Sequence, residues 1–116
     1  TVPSDTLESV LGKVPAEFVD NIHLIWIDSQ GYEGYAFQGA ENLLSKNIPV
    51  VTELWPYGIL SGGMPSEVYC QIAEKFWQYY WVLDEEKLTH HPISELIGLM
   101  EILSKSGKYT NIILTK

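Results

Sequence analysis

Three carboxylates follow apolar segments at the places where a parallel sheet would bind a ligand. Asp28 and Glu33 come directly after the apolar run 22–27, and Glu53 lies near the end of the run 48–54. Since ligands bind beyond the carboxyl ends of parallel strands, these side chains are expected to meet at one edge of a sheet. Grouped carboxylates can accept a proton or hold a hard divalent cation. The alternative is that Asp28 only ends the strand and Glu33 only stabilises a helix N-terminus.

The elements that position these acids form one strand–helix–strand unit. Residues 22–27 form a nearly continuous apolar run, which is typical of a strand buried on both faces. Apolar residues at helical spacing predict a helix over 33–46. Residues 48–54 predict a second strand. Two strands joined by a helix form a right-handed crossover and run parallel.

The second half of the chain predicts further helices and strands. Residues 56–65 contain three glycines and two prolines, a composition that indicates a loop at the ligand edge. Beyond this loop the patterns predict a helix at 66–78, a strand at 79–83, a helix between Pro92 and Gly107 and a strand at 110–115. The aromatic residues within 76–81 could stack on a ligand, but we favour a place in the core or in an interface.

Neither the histidines nor the cysteine predict a metal centre. His90 and His91 are consecutive, and consecutive side chains seldom point the same way. We therefore favour a helix-start role for His91, which lies just before Pro92. His23 lies inside the first apolar run, away from the ligand edge, and we interpret it as structural. Cys70 is the sole cysteine, which excludes an internal disulfide and a cysteine zinc site, and its apolar neighbours indicate a buried thiol.

Composition limits the partners and the architecture. The 116 residues are enough for a single domain over 1–116 and too few for a second. There are 7 lysines and arginines against 15 aspartates and glutamates, and the net charge is -8. Nucleic acids and anionic membranes are therefore not expected as partners, whereas small molecules and proteins are. No apolar run reaches about 18 residues and no charged signal start is present, so a cytoplasmic location is expected.

Four segments of the chain resemble the carboxyl-terminal half of FkbM-type methyltransferases. In the family's order, they are TLESVL at 6–11, IWIDSQGYE at 25–33, GAENLL at 39–44 and PVVTEL at 49–54. The resemblance is strong over residues 6–56 and weak afterwards. Asp28, Gly31 and Glu33 are retained, whereas the family usually has a lysine where this chain has Trp26.

The resemblance implies an α/β fold with a partial Rossmann-like methyltransferase sheet. Its strands would be mostly parallel, with helices on both faces and one antiparallel strand at the C-terminus. The resemblance also implies an S-adenosylmethionine-dependent enzyme, and many family members are O-methyltransferases that act on sugars, polyketides or other hydroxylated metabolites.

Two cofactor-binding elements of such enzymes are not found ahead of Asp28. They are a glycine-rich loop after the first strand and an acidic residue after the second. The chain is therefore expected to be part of a longer methyltransferase and to bind S-adenosylmethionine weakly by itself. The alternatives are a non-catalytic interaction module with half of a Rossmann fold, and a different Rossmann-like enzyme that shares only the strand–loop–helix unit.

The resemblance also implies roles for individual residues. The candidate catalytic residues, which would deprotonate or position an acceptor hydroxyl, are Asp28, Glu33 and Glu53. The residues expected to contact the small-molecule acceptor are Gln30, Gly31, Trp55 and Tyr57. The acids could instead bind Mg²⁺, but an aspartate–asparagine pair is not evident and we expect no metal.

The predicted strand 22–27 is expected to have an unpaired edge. In a methyltransferase-like strand order, this strand is central and pairs on one side with a strand that these residues do not supply. A long apolar edge is a template for association. Because the net charge of -8 limits unspecific aggregation, a homodimer is expected.

Overall fold

The computed structural model describes residues 3–116, which form a five-stranded sheet with helices. The order of the strands across the sheet is β1-β2-β5-β3-β4. In chain order, the strands are β1 (Ile25–Ile27), β2 (Val50–Leu54), β3 (Tyr79–Val82), β4 (His90–Pro92) and β5 (Thr110–Thr115). The four predicted strands, at 22–27, 48–54, 79–83 and 110–115, agree with β1, β2, β3 and β5 to within three residues at each end.

The prediction of a mostly parallel Rossmann-like sheet is wrong. Only β1 and β2 pair in parallel, and the other three strand pairs are antiparallel. The expected antiparallel strand at the C-terminus is β5, but it lies inside the sheet, between β2 and β3, and so creates two antiparallel pairs. The hairpin of β3 and β4 adds the third. An apolar run indicates that a strand is buried, but it does not encode the direction of the neighbouring strand. The predicted parallel pairing of the later strands was wrong for this reason.

Seven α-helices and one 3₁₀ turn are described in residues 3–116. They are α1 (Leu7–Leu11), α2 (Ala16–Asp20), α3 (Glu33–Gln38), α4 (Glu41–Leu44), α5 (Pro56–Ser61), α6 (Ser66–Phe76), the 3₁₀ turn Ile93–Glu95 and α7 (Leu96–Ser106). The helix predicted over 33–46 is divided at Gly39 and Ala40. The predicted loop 56–65 contains α5, because Pro56 suits a first helical position despite the nearby glycines. Gly107 ends α7, as predicted, and it does so in the left-handed conformation.

The core lies on one face of the sheet. Across the strands, Ile25, Val50, Leu114 and Tyr80 are in register and form a buried row. The aromatic residues behind it pack edge to face, with the Phe37 ring centroid 5.0 Å from that of Trp77. The neighbouring row lies on the other face and consists of Trp26, Val51, Ile113 and Trp81. Its first side chain, that of Trp26, is 70% exposed.

The remaining expectations about single residues have mixed outcomes. Cys70 is buried, as predicted, and burial raises the pKa of its thiol to about 11. His90 and His91 belong to β4 and precede the 3₁₀ turn, so neither starts an α-helix. None of the helices within residues 3–116 has the length and apolar character to cross a membrane. The cytoplasmic location stays a prediction.

Candidate active site at the ends of β1 and β2

Asp28 and Glu53 leave the sheet side by side. Since β1 and β2 are parallel and Ile27 lies opposite Thr52, the next residue of each strand emerges at the same edge. The hydroxyl of Thr52, which is fully buried, donates a hydrogen bond of 2.9 Å to the Ile27 carbonyl and joins the two strands at this point. The structure thus brings together two of the three predicted acids through the parallel strand pair.

Glu33 is the first residue of α3 and is 99% buried, being only 1% exposed. Its Oε1 accepts a hydrogen bond of 2.9 Å from the Ser29 backbone N–H, and its Oε2 accepts one of 3.0 Å from the Gly31 N–H. A buried carboxylate is tolerated when its oxygens are hydrogen-bonded, and these bonds also fix the backbone of the loop. The geometry therefore gives Glu33 a positioning role for the loop that carries Asp28.

The loop turns sharply at Gln30 and Gly31, which have φ angles of 55° and 101°. Gly31 lies directly against Gly58 of α5, because a Cβ at Gly31 would stand only 2.3 Å from the Gly58 carbonyl oxygen. Gly58 in turn has no room for a Cβ, which would stand 2.2 Å from the Trp55 ring. The loop after β1 and the helix after β2 are thus locked together through backbone contact.

Asp28 is the exposed acid of the site. Its Oδ1 accepts a hydrogen bond of 2.9 Å from the Gln30 side-chain amide. Within residues 3–116, its Oδ2 has no hydrogen-bond donor, so one carboxylate oxygen points to solvent with its partner held in place. An exposed carboxylate of this kind is chemically able to accept a proton.

Glu53 is half-buried at the end of β2. Burial raises the pKa of its carboxyl above the usual 4.5, and the negative charges of Asp28 and Glu33 raise it further. Asp28 and Glu33 are therefore close enough to Glu53 to influence its carboxyl electrostatically. No cluster of three or more histidine, cysteine, aspartate or glutamate side chains in the described chain is arranged to hold a metal ion.

The predicted acceptor-binding residues form the α5 side of the site. Trp55 is half-buried and covers Gly58, whereas Tyr57 is exposed, and their ring centroids are 5.8 Å apart. Gln30 is exposed next to Asp28, whereas Gly31 is buried and contributes only to the shape of the loop. The structure places these four residues around one loop, and their roles in binding an acceptor stay predictions.

A cavity on the α3 side was missed by sequence reasoning. It has a volume of about 840 Å³ and opens between α1, α3 and the end of β1. Its lining is mostly apolar and aromatic and includes Leu7, Val10, Ile27, Tyr32, Tyr35 and Ala36. The signal that could have indicated this wall is the i, i+3 spacing of Tyr32 and Tyr35, whose ring centroids are 5.9 Å apart. The Tyr35 hydroxyl also donates to the Gly62 carbonyl at 3.0 Å and so ties this wall to the end of α5.

Comparison with known families matches residues 1–93 to the methyltransferase FkbM domain. The chain belongs to the FkbM methyltransferase family. The match spans both parallel strands and the whole acidic site, so a methyltransferase-family function follows, and the resemblance noted in the sequence is confirmed. No curated protein matches the chain. In this FkbM domain, the matched region ends just after β4, and α7 and β5 lie beyond it.

The contact between Gly31 and Gly58 predicts opposite effects of two glycine substitutions. Gly31→Ala should lower the free energy of unfolding by at least about 1–3 kcal/mol, because alanine is strained at this φ and its Cβ overlaps Gly58. Gly98→Ala in α7 is the matched control, since a Cβ there meets nothing within 4 Å. It should raise the free energy of unfolding by roughly 0.5–1 kcal/mol. Urea denaturation of both variants checks this, and equal effects would contradict the tight contact.

Because Glu33 accepts two backbone hydrogen bonds, replacing it by glutamine is predicted to lower the stability of the protein. Glu33→Gln leaves one backbone N–H of the loop facing an NH₂ group, and we expect the free energy of unfolding to fall by about 1–3 kcal/mol. The control is Glu86→Gln, at an exposed position, which should change stability little. Hydrogen exchange at the Ser29 and Gly31 amides gives the local readout. Unchanged protection of these amides in Glu33→Gln would show that the carboxylate does not hold the loop.

The raised pKa of Glu53 predicts a pH-dependent loss of stability. Because the pKa is higher in the folded than in the unfolded chain, the folded protein binds more protons between the two values. The free energy of unfolding therefore falls as the pH rises through the raised pKa. Glu53→Gln should melt at a higher temperature than the wild type near pH 7, and this advantage should disappear below about pH 4. Glu101→Gln, at an exposed position of α7, is the control, and a pH-independent effect of Glu53→Gln would contradict the coupling.

Proposed function

We propose that this chain carries the acceptor-side acids of an S-adenosylmethionine-dependent O-methyltransferase that acts on a small hydroxylated metabolite or sugar. The observation that carries the proposal is the contrast between two carboxylates of one loop. Asp28 is exposed with an oxygen facing solvent, whereas Glu33 is buried with both oxygens bonded to the loop backbone. A rigid loop that presents one open carboxylate suits proton abstraction from a bound hydroxyl.

In the proposed reaction, Asp28 accepts the proton of the acceptor hydroxyl as its oxygen is methylated. Gln30 holds the other carboxylate oxygen and so orients Asp28. Glu53 lies beside Asp28, and burial together with the charges of Asp28 and Glu33 raises the pKa of the Glu53 carboxyl. The methyl donor S-adenosylmethionine supplies an electrophilic methyl group when it is bound.

The residues of this chain fit the acceptor side of such a site and do not fit the cofactor cradle. A cradle needs glycines whose open space admits the ligand next to a helix N-terminus. The spaces at Gly31 and Gly58 are already filled, by the Gly58 backbone and the Trp55 ring. The proposal is therefore that other residues of the intact enzyme hold the cofactor.

The acceptor is proposed to approach Asp28 over the exposed side chains of Gln30 and Tyr57, with Trp55 behind them. The cavity beside Tyr32 and Tyr35 offers room for an apolar part of the acceptor. The net charge of -8 disfavours a strongly anionic acceptor, which supports a neutral hydroxyl compound.

The second candidate function is a non-catalytic interaction module. It is favoured by the apolar side chains at the border of the sheet, where Leu24 is 55% and Trp26 is 70% exposed. An exposed apolar strand of this kind can recruit a protein partner. In that case the acids would serve only the structure of the loop.

The test of the proposed function is the substitution Asp28→Asn in the enzyme that contains this chain. Loss of a general base should reduce transfer of a labelled methyl group from S-adenosylmethionine by a factor of roughly 10² to 10⁴, with little change in melting temperature. Asp20→Asn is the control, because Asp20 is exposed on α2 and pairs with Lys46 outside the site. Full activity of Asp28→Asn together with a lower melting temperature would assign Asp28 to the turn, whereas absence of methyl transfer by the unsubstituted enzyme would favour the module.

A further inference from the structure

The strand β5 carries three polar side chains, and that of Asn111 forms no hydrogen bond within the described part of the chain. The Thr110 hydroxyl donates to Asp84 at 2.6 Å, and the Thr115 hydroxyl accepts a bond of 3.1 Å from the Trp81 ring N–H. Asn111 is half-buried. Its amide offers two donor hydrogens and one acceptor oxygen, so it is available to a ligand.

The pairing of β5 with β2 places Asn111 beside Glu53. The two residues are directly opposite each other in the antiparallel pair. Opposite side chains lie on the same face of a sheet, with their Cβ atoms about 4.5–5.5 Å apart. This face is the one away from the core, because Thr110 and Ile112 on either side of Asn111 are buried. Asp28 follows β1 on the other side of β2, and its charge acts on the Glu53 carboxyl. Asp28, Glu53 and Asn111 therefore form a polar row across three adjacent strands.

Asn111 supplies a hydrogen-bond donor that the two acids lack. An ionised carboxylate only accepts hydrogen bonds, whereas an amide also donates through its NH₂ group. The amide of Gln30, which lies next to the acids, is already bonded to Asp28 Oδ1 at 2.9 Å. Asn111 also lies outside residues 1–93, so the match to the FkbM domain assigns it no role.

We propose that Asn111 binds the acceptor and that the acceptor is a polyol, held at two of its oxygens. The proposal rests on the proposed function, in which Asp28 takes the proton of one hydroxyl. Neighbouring strands are about 4.8 Å apart, so Asp28 and Asn111 are separated by about 10 Å across β2. Two hydrogen bonds of about 2.8 Å leave about 4 Å between the bound oxygens. Two hydroxyls on one ring or short carbon chain span this gap, whereas a single hydroxyl reaches only one of the two side chains.

A titration followed by NMR tests this site on the 116-residue chain itself. The probes are myo-inositol, a cyclohexane ring with a hydroxyl on every carbon, and cyclohexanol, the same ring with a single hydroxyl. The side-chain NH₂ signals of Asn111 should shift with myo-inositol and much less with cyclohexanol. The Asn47 side chain is the internal control, because it is exposed at the opposite end of β2. Unshifted Asn111 signals, an equal shift at Asn47 or an equal response to both probes would overturn the proposal.

The substitution Asn111→Leu separates binding from stability. It should weaken myo-inositol binding, followed at the Glu53 backbone amide, by a factor of roughly two to ten, because one neutral hydrogen bond is lost. The melting temperature should change little, since the Asn111 side chain has no hydrogen bond to lose among the described residues. Asn111→Gln keeps the amide and should restore part of the binding. Asn47→Leu is the matched control and should leave binding unchanged.

The outcomes distinguish this proposal from the proposed function. Binding of myo-inositol that depends on Asn111, in an enzyme without methyl transfer, would refute the proposed function alone. Loss of methyl transfer in Asp28→Asn, together with myo-inositol binding that Asn111→Leu does not weaken, would refute the role of Asn111 alone.

Discussion

The pair of hydrogen bonds from the Ser29 and Gly31 amides to the Glu33 carboxylate is the interaction on which the rest of the site depends. A carboxylate that is 1% exposed is stable only if protein donors replace water at both oxygens. The loop must therefore bring two backbone N–H groups to one side, which requires the positive φ angles at Gln30 and Gly31. This shape sets the direction in which Asp28 leaves β1.

The same loop shape links the two halves of the site. With Gly31 turned inward, its backbone contacts Gly58, and Trp55 covers Gly58 from the other side. The helix after β2 is thus placed by the loop after β1, without a side chain between them. Because interiors are close-packed, a methyl group at this contact would displace the whole helix start. Backbone packing thus helps to place the loop that follows Asp28 against the helix that follows Glu53.

The sequence predicts the parts of the site that depend on local pattern. The apolar runs before Asp28 and Glu53 correctly indicate strands whose ends meet, and parallel pairing of β1 and β2 follows from the helical connection. The position of β5 between β2 and β3 depends on contacts far apart in the chain, so no local pattern encodes it. The sequence also does not predict that Asp28 is exposed and Glu33 buried, since the burial of an acid is decided by the tertiary contacts of its loop.

The parallel pair β1 and β2 connects the acids with the sheet that carries them. Asp28 follows β1 and Glu53 lies in β2, so the register of these two strands places both residues at the same edge. The Thr52 hydroxyl holds that register at the last pair, because it donates to the Ile27 carbonyl. Glu33 then fixes the loop that follows β1, through the Ser29 and Gly31 amides. One buried hydroxyl and one buried carboxylate thus determine where Asp28 stands relative to Glu53.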